Sequence, residues 1–123
     1  MNLATLIAKR AEEGRPIRVG MIGAGKFGTM FLAQAERQRG IHIIGICDLN
    51  PEATRSNLAL ANWNLERYAA KSLDAAAKNG TTHVGDNWEA LVNHPAVEII
   101  IECTGNPMAA VTHILRAFDQ GKH

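Results

Sequence analysis

The sequence predicts an α/β fold with a parallel sheet whose crossover helices cover both faces, the doubly wound arrangement. Short runs rich in β-branched residues alternate along the chain with segments whose apolar residues recur at helical spacing. A glycine-rich turn joins the first of these runs to the helical segment that follows it. The predicted order of elements is α-β-α-β-α-α-β-α-β-α, and we expect the four strands in the spatial order 3-2-1-4.

An amphipathic helix is predicted at the amino terminus, because apolar residues there recur at i, i+3, i+4 and i+8. Gly14 and Pro16 end this pattern. We therefore divide the chain into an N-terminal helical extension, residues 1–15, and one α/β domain, residues 16–123.

The domain is predicted to open with strands at 17–22 and 41–47, joined by a helix over 26–39 that Gly40 ends. The helix is predicted because Phe27, Met30, Phe31 and Ala35 recur at helical spacing.

The middle of the chain is rich in helix formers. Asn50 and Pro51 are a good N-cap and first helical residue, so a helix is predicted from about residue 51. Residues 63–80 predict one more helix, and 82–84 predict a short third strand.

The last third of the chain repeats the strand–turn–helix pattern. Asp86 and Glu89 resemble a capping box ahead of a short helix. Residues 97–103 predict the fourth strand, and the final helix is capped by Asn106 and ended by Gly121. Its apolar stripe consists of Val111, Ile114, Leu115 and Phe118.

The stretch VGMIGAGKFG places Gly23, Gly25 and Gly28 in the spacing G-x-G-x-x-G. Gly23 permits a tight turn, Gly25 lets a pyrophosphate approach the backbone, and Gly28 lets the helix pack close to the strand. The N–H groups at the start of the helix and the positive end of its dipole suit a diphosphate. A strand precedes the motif, and a helix and a second strand follow at βαβ spacing. The motif therefore predicts a dinucleotide-binding turn.

Asp48 ends the second strand, 20 residues after Gly28. A carboxylate at this place accepts hydrogen bonds from the adenosine ribose, and it favours NAD because it repels the 2′-phosphate of NADP. Arg55 and Lys26 would offset this preference if they paired with that phosphate. Arg55, which falls one to two turns into the next helix, is expected to point into solvent.

The fourth strand ends in the sequence ECTGNP. Because strand 4 lies beside strand 1 at the topological switch point, Thr104 and Gly105 are expected to line the nicotinamide-ribose side of the crevice. Glu102 is assigned no role. The residues expected to contact the dinucleotide are Gly23, Ala24, Gly25, Lys26, Phe27, Gly28, Asp48, Thr104 and Gly105.

The two cysteines are predicted not to form a disulfide. Cys47 and Cys103 end strands 2 and 4, which flank strand 1 and therefore lie about 9–10 Å apart, whereas a disulfide needs Cα atoms within about 7 Å. The five histidines form no catalytic motif, and His113 is expected on the surface of its helix. With no C-x-x-C pattern or Cys/His cluster, no metal site is predicted.

Composition excludes several partner classes. A net charge of +1 offers no basic field for nucleic acid. No apolar stretch reaches the roughly 18 residues of a membrane span. At the amino terminus the cations follow the apolar run, which is the wrong order for a secretory signal, so a cytoplasmic location is expected.

The segments IRVGMIGAGKFGTMF, GICDLNPEAT, HPAVEIIIECTGNP and ILRAFDQGKH together resemble the N-terminal Rossmann domain of NAD(P)-dependent oxidoreductases. The homoserine dehydrogenase-like and Gfo/Idh/MocA-like groups are similar over about residues 16–123. The extra N-terminal helix and the long helical stretch after strand 2 resemble more closely the SAF-domain 1-deoxy-D-xylulose 5-phosphate reductoisomerase-like (DRL) group.

This resemblance implies reductive isomerisation of 1-deoxy-D-xylulose 5-phosphate to 2-C-methyl-D-erythritol 4-phosphate with NADPH, a step of isoprenoid precursor synthesis. NADP is therefore expected beside NAD. It also implies a fifth strand and a substrate and dimerisation domain beyond residue 123, with the catalytic residues and any divalent metal there. The partners implied are a phosphorylated or polyol substrate and a second copy of the protein, and the 123 residues alone would bind dinucleotide without turnover.

Three alternatives stay open on the sequence. The first is a homoserine dehydrogenase-like or sugar dehydrogenase activity. The second is a non-catalytic dinucleotide-sensing module, which acid/base residues near the crevice would disfavour. The third is a methyltransferase, which also uses a glycine turn and an acid after strand 2. The complete G-x-G-x-x-G and the proline that begins the helix after CTGN disfavour it.

Overall fold

The computed structural model describes residues 2–123, so residue 1 of the predicted extension lies outside it. Four parallel strands form one sheet in the order β3-β2-β1-β4. The strands are β1 (Ile17–Ile22), β2 (Ile41–Cys47), β3 (His83–Gly85) and β4 (Ile99–Glu102). This arrangement confirms the predicted fold class and strand order.

Six α-helices and one short 3-10 helix surround the sheet in the described chain. They are α1 (Leu3–Glu12), α2 (Lys26–Ala35), α3 (Pro51–Leu60), the 3-10 helix (Leu65–Tyr68), α4 (Leu73–Asn79), α5 (Trp88–Asn93) and α6 (Pro107–Asp119). In the part of the chain that the structure describes, no helix is both long and apolar enough to cross a bilayer.

The sheet is buried on both faces, as two separate clusters of core residues show. One cluster joins β1 and β2 to helices α2 and α3 through residues such as Met21, Leu32 and Leu58. The other joins the opposite face to α4, α5 and α6 through residues such as Ile44 and Leu91. Helices therefore lie on both faces, as right-handed crossovers from a central β1 require.

The extension α1 is tied to the domain through its last turn. The Arg10 guanidinium bonds the Glu98 carboxylate at 2.9 Å, and Arg10 Nε donates to the Arg15 carbonyl at 2.6 Å. At the other end of the chain, His123 N–H donates to Glu98 O and Ile100 N–H donates to His123 O. These two bonds have the pattern of a parallel pair, so His123 lies beside β4 at the edge of the sheet.

Two predicted helices were wrong in extent. The predicted helix over 63–80 is broken: a 3-10 turn is followed by a bridge between Ala70 and His83, and Ser72 Oγ caps α4 by accepting from Ala75 N–H. Strand pairing outweighs helix propensity here. Helix α2 ends at Ala35 rather than at residue 39.

The apolar stripes of α2 and α6 coincide only in part with the buried faces, because Ala35 is buried and Phe31 packs against the core while other members are exposed. On α2, Phe27 and Met30 are 71% and 59% exposed; on α6, Leu115 and Phe118 are 62% and 66% exposed. The buried residues of these helices are Gly28, Leu32 and Ala35 on α2 and His113 and Ala117 on α6, so most of them are small. Small residues let these helices pack close to the strands.

Candidate functional site

A crevice of about 460 Å³ opens at the carboxyl ends of β1, β2 and β4. Its lining includes four of the residues expected from the sequence, which are Gly23, Gly25, Asp48 and Thr104. They come from three loops distant in sequence, and the strand order β2-β1-β4 brings them together. This is the topological switch point, where ligands bind in open α/β sheets.

Gly23 and Gly28 are positions where no side chain fits. Gly23 has φ +90°, and a Cβ there would lie 2.7 Å from the backbone carbonyl carbon of Cys103 and from Thr104 N. A Cβ on Gly28 would lie 2.8 Å from the Gly23 carbonyl oxygen and from Met21 Cε. The first glycine lets the β4 loop approach the turn, and the second lets α2 pack against it.

Gly25 differs from both because its surroundings are open. It has φ −72°, and a Cβ there would meet nothing within 4 Å. It is also the N-cap of α2 and offers no side-chain acceptor, whereas the other α-helices in residues 2–123 each have an Asn or Ser cap. The first helical bond runs from Thr29 N–H to Gly25 O. The N–H groups of residues 26–28, which precede this bond, therefore have no intrahelical partner, and Gly25 beside them lines the crevice.

Asp48 links the glycine turn to the loop after β2. Its Oδ2 accepts from the N–H of the buried Ala24 at 2.8 Å, and its Oδ1 accepts from Asn50 N–H at 3.0 Å. The half-buried carboxylate is thereby fixed at the crevice edge, with lone pairs left for a further donor.

The two cations expected to offset the charge of Asp48, Arg55 and Lys26, are not paired with it: Arg55 bonds other groups and Lys26 is exposed. The Arg55 guanidinium pairs with Glu52 and donates to the Val84 carbonyl at 3.0 Å, so the expectation that it points freely into solvent was wrong. Lys26 and Phe27 are exposed on the first turn of α2. Asp86 adds a second carboxylate to the crevice lining.

The wall opposite Asp48 is the loop between β4 and α6. Thr104 N–H donates to Glu102 Oε1 at 2.7 Å, and Thr104 Oγ1 accepts from Asn106 N–H at 3.2 Å. Gly105 is exposed with φ +68° and open space around its Cα. Asn106 then caps α6 by accepting from Ala109 N–H at 3.2 Å.

A buried pair of side chains that was not predicted from the sequence lies beneath this wall. His113 Nδ1 is hydrogen-bonded to the Glu102 carboxylate, and the two side chains are only 9% and 10% exposed. The Trp88 ring lies 4.6 Å from the imidazole, and both Trp88 and His113 line the crevice. The prediction of a surface His113 was therefore wrong. The one available signal was its spacing from Ala117, because the two share the sheet-facing side of α6.

The prediction that Asp86 caps α5 in a capping box was wrong. Asn87 takes that role, with its Oδ1 accepting from Ala90 N–H at 3.0 Å. Asp86 is left one residue earlier, in the crevice lining.

Both cysteines also line the crevice, and both are free thiols, as predicted. Burial, together with the charges of Asp86 and Asp48, raises the pKa of Cys47 to about 11. Within residues 2–123, His, Cys, Asp and Glu side chains form no group of three or more that could hold a metal ion.

Comparison with known proteins agrees with this geometry. Residues 17–123 match the model of the Gfo/Idh/MocA oxidoreductase family, described as an NAD-binding Rossmann fold. A homoserine dehydrogenase from Methylobacillus glycogenes is 28% identical over 111 residues, which is 89% of this chain and 24% of that protein.

Solved structures share the fold at low identity. The myo-inositol dehydrogenase from Lactobacillus casei, in complex with NAD(H) and myo-inositol, superposes with a TM-score of 0.63 at 18% identity, over 87% of this chain and 26% of its own. An NAD-binding oxidoreductase from Klebsiella pneumoniae gives 0.59 at 19% identity, over 88% and 26%. This chain thus spans about a quarter of the length of these relatives. By its match over residues 17–123, the chain belongs to the Gfo/Idh/MocA oxidoreductase family and holds that family's NAD-binding Rossmann domain.

Proposed function

We propose that the crevice binds NAD(H) with its diphosphate at the N-terminus of α2. The observation that carries this proposal is the open, uncapped turn at Gly25, where helix N–H groups are available and no side chain intrudes. The adenosine ribose would bond Asp48, and the nicotinamide ribose would lie against Thr104 and Gly105. Ala24, Lys26, Phe27 and Gly28 complete the proposed contact set as parts of the turn and the first helical residues.

We further propose that NAD is preferred to NADP. Two carboxylates, Asp48 and Asp86, line the crevice, and they would repel a 2′-phosphate. The Arg55 guanidinium is already engaged by Glu52 and Val84 O. NADP therefore rests only on the sequence resemblance.

The proposed reaction is hydride transfer between the nicotinamide ring and the carbon of an alcohol or carbonyl group in a small polyol or amino acid. The homoserine and inositol dehydrogenases among the relatives support this class. We propose that the substrate is bound by residues equivalent to those in the three quarters of the relatives that this chain does not cover. Reductoisomerase activity with a phosphorylated substrate is a narrower proposal supported by sequence resemblance alone. A cytoplasmic location and a homo-oligomer stay predictions.

The test is calorimetric titration of the 123-residue chain with NADH and NADPH, compared with the variant Gly25→Ala. The added Cβ meets nothing within 4 Å in the free protein, but alanine is a poorer N-cap than glycine, so the melting temperature is expected to fall by no more than about 4 °C. In the complex the methyl group would occupy the space of the diphosphate, and NADH affinity is expected to fall at least about tenfold.

Gly80→Ala is the matched control. Gly80 is equally open but has φ +70° and lies at the end of α4, so its substitution should cost about 1 kcal/mol of stability and leave NADH binding unchanged. Wild-type protein that binds neither dinucleotide would refute the proposed function. Unchanged NADH affinity in Gly25→Ala would refute the placement of the diphosphate.

A further inference from the structure

The Glu102–His113 pair joins β4 to α6 under one wall of the crevice. Glu102 is the last residue of β4, His113 lies midway along α6, and the two side chains are 10% and 9% exposed. The Trp88 ring packs on the imidazole with its centroid 4.6 Å away and the ring planes at 56°. The pair is therefore held between α5, α6 and the sheet.

The carboxylate of Glu102 has a second partner in the wall itself. Its Oε1 accepts from Thr104 N–H at 2.7 Å while its Oε2 holds His113. Thr104 Oγ1 accepts from Asn106 N–H, and Asn106 caps α6, the helix that carries His113. These bonds close a ring that runs from β4 through the loop into α6 and back.

This ring fixes a loop that otherwise has little to hold it. The backbone of Thr104 contacts the glycine turn, but Thr104, Gly105 and Asn106 are all exposed, so burial of their side chains contributes little to the position of the loop. Burial alone would raise the pKa of Glu102, but the hydrogen bonds from Thr104 and His113 outweigh burial and hold the pKa below its usual value. The anion is thus kept in place with both oxygens bonded at neutral pH.

The position of this loop also sets the distance across the crevice. The backbone at Cys103 and Thr104 approaches Gly23 so closely that a Cβ on Gly23 would lie 2.7 Å from it. A shift of Thr104 therefore changes the space between the glycine turn and the opposite wall, where the nicotinamide half of a dinucleotide would lie.

We propose that Glu102 is a positioning residue that, through its bonds to Thr104 and His113, holds the Thr104–Gly105 wall in the conformation that binds the nicotinamide half of the dinucleotide. The proposal rests on the proposed function. It assigns Glu102 no direct contact with the ligand.

The test compares Glu102→Ala and Glu102→Gln, with Glu98→Ala as the matched control. Glu98 directly precedes β4 and likewise bonds a backbone N–H, of Arg18 at 2.9 Å, and a cation, Arg10, but at the amino end of the strand, away from the crevice. Affinities for NADH and for ADP are measured by calorimetry, beside the melting temperature. ADP lacks the nicotinamide half, so its affinity reports on the glycine turn and Asp48 and not on the Thr104–Gly105 wall.

Glu102→Ala removes both bonds, so NADH affinity is expected to fall at least about tenfold while ADP affinity changes less than about twofold. Glu102→Gln keeps an oxygen for Thr104 N–H and offers N–H to the other tautomer of His113, so NADH affinity should stay within about threefold of wild type. Glu98→Ala should lower the melting temperature and leave both affinities unchanged.

Three results would overturn the proposal. The first is wild-type NADH affinity in Glu102→Ala, and the second is an equal loss of ADP and NADH affinity in that variant. The third is a loss of NADH affinity in Glu98→Ala that matches its fall in melting temperature. If Glu102→Ala does not fold, Glu102→Asp replaces it, because the shorter side chain keeps the charge but cannot reach both partners. Wild-type protein that binds no NADH would instead refute the proposed function, so the two failures are distinguishable.

Discussion

Replacing Asp48 by alanine tests both the stability of the glycine turn and the recognition of the ribose. The carboxylate accepts from Ala24 N–H at 2.8 Å and from Asn50 N–H at 3.0 Å. Ala24 is 4% exposed, so water cannot readily replace the lost acceptor there, whereas Asn50 is exposed and can be solvated.

The magnitude follows from these two bonds. An orphaned buried N–H costs about 1–3 kcal/mol, and the exposed bond contributes about 0.5 kcal/mol, so Asp48→Ala should lower the free energy of unfolding by about 2 kcal/mol. For a chain of this length that corresponds to a fall of about 8 °C in melting temperature. Asp48→Asn keeps one acceptor and should lose about half as much.

The binding effect is separate from the stability effect. Loss of hydrogen bonds from the ribose hydroxyls to a carboxylate, at about 1.5–3 kcal/mol each, should weaken NADH binding at least about tenfold and raise the affinity for NADPH relative to NADH. Thermal melts and calorimetric titrations measure the two effects, with the exposed Asp119→Ala as the control carboxylate. An unchanged melting temperature would refute the role of the Ala24 bond, and unchanged NADH affinity would refute the ribose contact.

Two further predictions concern titrating groups. Burial lowers the pKa of His42, with Arg18 and Arg67 acting in the same direction and the bond to the Thr81 carbonyl against them. The contribution of neutral His42 to stability is therefore present above about pH 6.5 and is lost as the pH falls through its lower folded pKa. His42→Gln should make the free energy of unfolding less dependent on pH, measured by urea titrations at pH 7.5, 6.5 and 5.5. The same pH dependence in the variant and the wild type would contradict this prediction. Burial raises the pKa of Cys47 to about 11, so little reactive thiolate is present at pH 7.5. In the variant Cys103→Ser, in which Cys47 is the remaining cysteine, iodoacetamide at this pH should label native protein on the order of 100-fold more slowly than urea-unfolded protein. Equal labelling rates would contradict this prediction.

The sheet and the three loops at its carboxyl edge could be predicted because their signals are local. The glycine spacing, the strand before it and the acid 20 residues later each specify one turn or one strand end. Once the order β3-β2-β1-β4 is known, parallel pairing alone brings Gly23, Asp48 and Thr104 to the same edge. The strand order alone determines which loops form the site, so the site could be predicted without any side-chain contact.

The helix faces could not be predicted in this way, because hydrophobicity alone did not decide which side of α2 and α6 meets the sheet. Residues as small as Gly28 and Ala117 face inward, and Phe27 and Phe118 face outward. Close helix–sheet approach favours small residues at the contact, which a pattern of large apolar residues does not reveal. The Glu102–His113 pair was missed for the same reason, since it depends on which face of α6 turns inward.

The three sides of the crevice are all fixed before any ligand arrives. The turn is constrained by steric limits at Gly23 and Gly28, the acid edge by two backbone bonds to Asp48, and the opposite wall by Glu102. A ligand that meets fixed partners loses less of its binding free energy to ordering the protein. The wall at Thr104 shares the backbone contact with Gly23 and is otherwise held by the Glu102 carboxylate and the His113 imidazole, while the turn is packed at Gly28 as well. Substitutions at Glu102 should therefore change the affinity for the whole dinucleotide while the adenosine diphosphate half still binds. This wall is thus the part of the site where a single side-chain substitution should change dinucleotide affinity most selectively.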